Sequence, residues 1–348
     1  MSKIIFTLCS NNYLAQAQVL AASVRQHQPG WKFVLGLVDT MLEQVDYKSF
    51  DFEVVTAADI EPGIQQLAEK YSIVELNTCL KPAFFLYFFQ QRQALNVVYL
   101  DPDISLYSPL REMEIFFLAG DIILTPHVLT PVPLDKQTPG EKLFLNYGLY
   151  NLGFLALKKS LNTDRFLYWW KERTYAQGYD RPAEGLFTDQ LWINLVPIYF
   201  PRVKILRHTG YNMAPWNLHE RYLQDIGGEF RVGPKNKLVF FHFSGFDLQQ
   251  NKLHKDYSRF HADQRPDLRR LYDDYGVRLR EENYTFYSSL SCHYKDVRSK
   301  FLIRQQSAAL HGQPGSPLGP SLSRRLLRRI KQLMPPGLKR ATLNLIKA

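Results

Sequence analysis

The sequence predicts an α/β fold, with a mostly parallel sheet flanked by helices and a helical C-terminal extension. Three observations carry this. Apolar runs of strand length recur from the first residues onward, and segments with apolar residues at helical spacing lie between them. Alternation of that kind is the pattern of a layered parallel sheet. Hydrophobic residues make up 45% and aromatics 14% of 348 residues, enough core material for one large domain or two.

In chain order, KIIFTLC (3–9) reads as a strand, polar SNN follows, and 13–28 is apolar at helical spacing. KFVLGLVD (32–39) is a second strand ending in Asp39, and FEVVTAADI (52–60) a third that runs into a capped helix. Residues 75–93 read as one helix with a large aromatic face, and NVVYL (96–100) as the next strand. IILTP (122–126), YNLGFLAL (150–157) and LVFFHFSG (238–245) continue the series, with helices expected at 161–176 and 185–196. Residues 264–283 read as an exposed helix of mixed charge, and HGQPGSPLGPS (311–321) as a linker. The expected organisation is a principal domain at 1–262, a helical extension at 263–310, a linker at 311–320 and a basic tail at 321–348.

Cys9, Cys79 and Cys292 are scattered, which argues against a disulfide framework or a structural zinc site and favours a reducing compartment. The apolar run at the N-terminus is too short for a signal-peptide core, and no run approaches a membrane span. The expected location is the cytoplasm. Of the net charge of +10, residues 321–348 carry eight basic side chains and no acidic one, leaving +2 for the preceding 320 residues. The body is nearly neutral and the tail strongly basic.

In open α/β sheets ligands bind beyond the carboxyl ends of the strands. Ser10–Asn12, Asp39, Asp101–Asp103 and His242–Gly245 all end predicted strands and are expected along one sheet edge. Asp101–Pro102–Asp103 is the one D-x-D triplet, and 19 aspartates in 348 residues predict about one by chance. Two readings stand at this point. One is a solvated acidic turn. The other is a pair of hard oxygen ligands for a divalent cation, aimed into one space by the turn at Pro102 and anchored by the apolar strand before it.

The surroundings add a resemblance. VVYLDPDISL resembles the D-x-D motif of nucleotide-sugar glycosyltransferases with the Rossmann-like GT-A fold. TLCSNNYLAQAQVLAASV, YNLGFLAL, FTDQLWIN and FFHFSG resemble, in order, further motifs of the retaining family that includes glycogenin and bacterial lipopolysaccharide galactosyltransferases. YNMAPWNLHER and HFSGFD are similar to a broad group of bacterial stand-alone glycosyltransferases, and the likeness covers roughly residues 3–262. The resemblance implies Asp101, Asp103 and His242 as ligands of Mn2+ or Mg2+, and Ser10, Asn12 and Asp39 facing the uridine of a UDP-sugar. Lys81 matches a basic position near the donor phosphates, and fits a solvent-facing lysine at a helix start equally well. The family's pattern puts Asn151 and Gly153 against the donor sugar, Asp189 and Gln190 beneath its reacting face, and Gly245 in the H-x-x-G turn. Trp216 is read either as packing near donor or acceptor or as core. The chain departs from the family where a lysine should follow H-x-x-G closely. Lys252, Lys255 or Arg259 is left to meet the diphosphate. The resemblance further implies retention of configuration, with Asp247 or Glu220 open as a base should the enzyme invert.

SLSRRLLRRIKQLM (321–334) gathers its six large apolar residues within an arc of roughly 140° on a helical wheel, with the basic residues on the other side. That pattern fits an anionic membrane surface, and a glycan or lipid-linked acceptor would suit an enzyme held there. The apolar face disfavours nucleic acid as a partner. A sugar nucleotidyltransferase would need a glycine-rich loop after the first strand, and CSNNYLAQ has none. A peripheral membrane or nucleic-acid-binding protein without catalysis would leave the spaced aspartates and His242 without a purpose.

Overall fold

The computed structural model describes residues 2–248 and 252–311. The chain up to Ser299 forms one compact unit, and Lys300 begins a second, of which only a helical stretch to His311 is described. The expected basic tail at 321–348 and its preceding linker fall outside the described residues.

The strands that position the site are β1 (Lys3–Cys9), β2 (Lys32–Leu37), β3 (Glu53–Thr56), β4 (Asn96–Leu100), β5 (Ile104–Leu106), β6 (Ile122–Pro126) and β7 (Tyr150–Lys158). The helices are α1 (Leu14–His27), α2 (Ala57–Ile60), α3 (Ile64–Lys70), α4 (Ile73–Cys79), α5 (Lys81–Gln90), α6 (Arg111–Phe116), α7 (Glu141–Tyr147) and α8 (Leu161–Gln177). The main sheet has seven strands in the order Val203–Ile205, β6, β7, β4, β1, β2, β3. Pairing is parallel throughout except at β7, which runs antiparallel to both β4 and β6. The mostly parallel sheet expected from sequence is therefore present, and its one reversed strand has a consequence. The N-terminal residues of β7 arrive at the edge where β4 ends, with Phe154 opposite Leu100.

Each face of the sheet has its own core. Phe6, Phe84, Phe85, Phe88 and Trp170 pack on one side, so α5 and α8 cover it. Ile5, Val98, Ile123, Phe154 and Phe240 fill the other. Neighbours Ile5 and Phe6 go to opposite faces because strand side chains alternate. Each buried aromatic ring contributes about 1.5–3 kcal/mol, which accounts for the aromatic density of α5.

Several expected elements differ. The helix read at 75–93 is two helices, because Pro82 at the start of α5 cannot continue the preceding ladder. Ser72 and Glu75 form a capping box that sets where α4 begins. The helix read at 185–196 is a two-stranded hairpin end, a 3-10 turn over Leu191–Leu195 and a single turn over Val196–Tyr199. The strand read at 238–245 is confined to Phe240–His242 and lies outside the main sheet, paired antiparallel with β5. The helix Arg269–Glu281, read as exposed, buries Leu271, Tyr272, Tyr275 and Leu279 in a third core with Met213, Phe241 and Phe243. A small antiparallel sheet over Leu223–Ile226, Glu229–Val232 and Asn236–Lys237 had no counterpart in the reading, although Gly227–Gly228 is a hairpin signal. Among the described residues no helix is long and apolar enough to cross a membrane.

Candidate active site

The site is built where β4 runs out. Ile104 N donates to Asp101 O at 3.1 Å, closing the tight turn through Pro102 that separates β4 from β5. The pairing of β5 with Phe240–His242 sets His242 opposite Ile104, and Phe243 N donates to Asp103 O at 2.8 Å. His242 Nε2 then lies 3.0 Å from Asp103 Oδ1 and 3.7 Å from Asp101 Oδ2. One ligand atom from each residue falls within 4.8 Å of the others. Among the described residues this is the one such group of three or more His, Cys or acidic side chains. Burial opposes a charge on His242, but the facing Asp103 and Asp101 outweigh it and raise the imidazole above its ordinary value. Burial likewise works against ionised Asp103, and the attraction of His242 overcomes it, so that carboxyl sits low.

A second, buried group stands behind the first. Lys81 Nζ lies 3.0 Å from Asp189 Oδ2 and 3.7 Å from Asp101 Oδ1, and donates to Leu152 O at 3.0 Å. Of the two readings of Lys81 the solvent-facing one fails, since the residue is 3% exposed. Tyr99, two residues before Asp101 and therefore on its side of the strand, donates its hydroxyl to Asp101 Oδ1 at 2.6 Å and lies under the Lys81 ammonium. Asp189 is almost fully buried, and burial pushes its carboxyl up against the pull of Lys81.

Other residues singled out from sequence lie nearby but are engaged by the protein itself. Gln190 Oε1 accepts from Leu152 N at 2.9 Å while its Nε2 donates to Tyr147 O at 2.7 Å, so the side chain clips α7 to β7. Asn151 Oδ1 accepts from Gly153 N and Asn212 Nδ2, and its Nδ2 faces His127 Nε2. At Gly153 a Cβ would stand 2.6 Å from His242 Nδ1, so the absence of a side chain makes room for the histidine ring. Ser10 Oγ donates to Val38 O. Both oxygens of buried Asp39 accept backbone amides, from Asn11 on one and from Thr40 and His293 on the other. Trp216 packs edge-on against His242 and beside His127.

Two cavities flank the aspartates. One of ≈280 Å³ is lined by Ser10, Asn12, Tyr13, Asn77, Tyr99, Asp101 and Asp103. The other, ≈460 Å³, is lined by Asn12, Tyr13, Asp103, Gly245, Asp247 and Lys255 among others. Asn12, Tyr13 and Asp103 belong to both, so the acidic pair sits between them. Gly245 has φ +67° and its carbonyl accepts from Lys255 N at 3.2 Å, a turn that holds Lys255 beside the larger cavity. Of the three basic residues left open by the sequence, Arg259 is bound bidentately to Asp135 and Lys252 lines a separate cavity with Arg265 and Arg269. Glu220 accepts from Leu129 N, Thr130 N and Thr130 Oγ1. Tyr13, Asn77 and Tyr99 were not singled out. The strand alternation that places Tyr99 beside Asp101 was legible.

No family model matches the chain. YfnF of Bacillus subtilis (strain 168), an uncharacterised protein, is 27% identical over 260 residues, which span 71% of this chain and 83% of YfnF. YfnD of the same strain, also uncharacterised, is 21% identical over 260 residues, spanning 71% of this chain and 78% of YfnD. The structure resembles those of glycosyltransferases. Galactosyltransferase LgtC, solved in complex with donor and acceptor sugar analogues, has 12% identity and a TM-score of 0.44 over 80% of this chain and 95% of LgtC. GlyE of Streptococcus pneumoniae TIGR4 has 14% identity and a TM-score of 0.46 over 84% of this chain and 66% of GlyE. Mouse xyloside xylosyltransferase 1 has 14% identity and a TM-score of 0.42 over 70% of this chain and 97% of that one.

Proposed function

We propose that the chain is a metal-dependent GT-A glycosyltransferase, moving a sugar from a UDP-sugar to a glycan or lipid-linked acceptor in envelope polysaccharide or glycolipid synthesis. The observation that carries this reading is the meeting of Asp101, Asp103 and His242 at the end of β4, with Lys81 and Asp189 directly behind. Two carboxylates and an imidazole suit Mn2+ or Mg2+ with positions left for phosphate oxygens. His242 turns Nε2 to the carboxylates, the ring nitrogen that would meet the ion, while its buried Nδ1 points away without a hydrogen-bond partner among the described residues. When bound, the ion supplies Lewis-acid neutralisation of the leaving diphosphate.

The chain's own residues do the rest of the work in this reading. Tyr99 and Lys81 fix the Asp101 carboxylate, and Lys255 adds positive charge from the bank of the larger cavity. Asn12 and Ser10 border the nucleoside. Asn151 and Gly153 shape the wall beneath the donor sugar. Asp189, held by Lys81 and Thr188, lies under its reacting face, and Gln190 keeps that wall in register. The acceptor attacks from the side on which the diphosphate leaves, and the departing phosphate oxygen takes its proton, so the anomeric configuration is retained. Glu220 is a poor base for inversion, because four donors already hold its carboxylate, from Leu129 N, Thr130 N, Thr130 Oγ1 and Arg221 Nε. The basic amphipathic segment at 321–334 would hold the enzyme against an anionic cytoplasmic membrane face.

The test is thermal stabilisation by a panel of nucleotide sugars, with and without manganese, on wild type and Asp103→Ala. One UDP-sugar should stabilise the wild type only with metal, and the variant should lose the effect. Failure of every nucleotide sugar to bind with metal present would end the catalytic reading. NMR of the product decides the stereochemistry, and an inverted anomer would exclude the same-side route.

A further inference from the structure

If the acidic pair takes a divalent cation, as proposed above, the way Asp101 is held bears on which cation that is. One carboxylate oxygen, Oδ1, accepts the Tyr99 hydroxyl at 2.6 Å and faces the Lys81 ammonium at 3.7 Å. The other, Oδ2, is the one that faces His242 Nε2, at 3.7 Å. The backbone of Asp101 is pinned as well. Its N–H donates to Gly153 O at 2.9 Å, and its carbonyl accepts from Ile104 N at 3.1 Å.

The two groups on Oδ1 are both buried, so neither serves a ligand directly. The Lys81 ammonium has three protons, and three oxygens surround it: Asp189 Oδ2 at 3.0 Å, Leu152 O at 3.0 Å and Asp101 Oδ1 at 3.7 Å. A lysine enclosed in this way does not reach the donor phosphates. Its charge acts on Asp101 from the protein side. The Asp101 side chain itself keeps 28% of its surface exposed. It is anchored from behind and open in front.

We infer that Tyr99 and Lys81 are positioning residues that restrict Asp101 to one metal-binding oxygen, so that the site selects Mn2+ over Ca2+. A cation chelated by both oxygens of Asp101 would sit against Oδ1, where the Tyr99 proton and the Lys81 ammonium already converge. Positive charge at that oxygen repels it. The cation is left with Oδ2 of Asp101, a carboxylate oxygen of Asp103 and Nε2 of His242. Ca2+ takes roughly six to eight oxygen ligands and often draws on both oxygens of a carboxylate. Single oxygens and a nitrogen suit it poorly. Mn2+, a transition metal, accepts the imidazole nitrogen and is content with about six ligands.

The experiment is titration of Mn2+ and of Ca2+, each alone, into the full chain, for wild type and Tyr99→Phe. Mn2+ is followed by EPR, and Ca2+ by its displacement of Mn2+. Phenylalanine keeps the ring packed against Phe6 and beneath Lys81, and melting curves confirm that the variant folds. Wild type should bind Mn2+ at least about tenfold tighter than Ca2+, since the outer partners of a ligand are worth about 10–100-fold in affinity. In Tyr99→Phe, Mn2+ should weaken by about tenfold while Ca2+ stays within about twofold, because the released carboxylate can turn both oxygens to it. A variant in which both cations weaken equally, or neither does, overturns the role of Tyr99 and leaves the glycosyltransferase reading standing. So does a wild type that binds Ca2+ as tightly as Mn2+, whatever the variant does. A wild type that binds neither cation overturns the metal site and the inference together.

Discussion

The substitution Gly153→Ala tests why β7 carries a glycine beside the acidic turn. A Cβ built there stands 2.6 Å from His242 Nδ1 and 2.8 Å from Asn151 Oδ1, where ordinary contact begins at 3.4 Å. The nearest ring atom, Cε1 at 2.4 Å, must therefore retreat by about 1.0 Å, the difference between 3.4 and 2.4 Å. The imidazole has little room, since Trp216 packs edge-on against it and its backbone is tied to Met213 O and, through Phe243 N, to Asp103 O. Metal–ligand distances tolerate only about ±0.2 Å, so a shift of that size would disable the imidazole as a ligand of the proposed ion. The variant should lose about 1–3 kcal/mol of stability through overpacking. Its manganese affinity should fall by about 10–100-fold, the usual effect of displacing a ligand's support. Denaturant melts give the first number, and calorimetric titration of Mn2+ into the folded variant gives the second. A Gly153→Ala protein that is as stable as wild type and binds Mn2+ equally well would refute the argument. The glycine would then have to be explained by the donor sugar, as the motif alone had implied.

Two further predictions concern contacts the structure assigns. Gln190→Ala removes a clip between a buried backbone amide and a partly buried carbonyl, leaving Leu152 N and Tyr147 O without it, and should cost about 1–3 kcal/mol in urea unfolding. A loss under about 0.5 kcal/mol would show that the clip is dispensable. Glu53 is gripped by Arg92 in a bidentate pair and by Lys32, and these hold its carboxyl down to about 2. Because the folded value lies below the ordinary 4.5, its contribution is complete above that pH and is lost as the pH falls from there towards 2. Glu53→Gln should melt earlier than wild type at pH 7, with the gap closing below about pH 4. A gap that stays constant down to pH 2 would mean the pairing adds nothing.

Local pattern determined much of this protein. Alternation of apolar runs, read by period, gave strands and helices their types and order. The rule that ligands gather beyond strand ends drew Ser10, Asp101 and Asp103 to one edge, because a strand's direction and its last residue are local properties. The glycine-rich hairpin at Gly227–Gly228 and the proline break before α5 were equally legible in principle, since both follow from the backbone limits of single residues. Tertiary structure decided what each polar atom does there. His242 belongs to no strand of the main sheet, and reaches Asp103 only because Phe240–His242 pairs with β5 in one register. Lys81, which the sequence left between solvent and site, is placed by helix packing against Asp189, more than a hundred residues away in sequence. The strand expected to end in Asp39 stops at Leu37, and an amide 254 residues beyond Asp39 takes part of its carboxylate. A side chain's type and its position on an element follow from short-range sterics. Its hydrogen-bond partner comes from whichever distant segment the closed core brings within 3 Å, and no local pattern carries that.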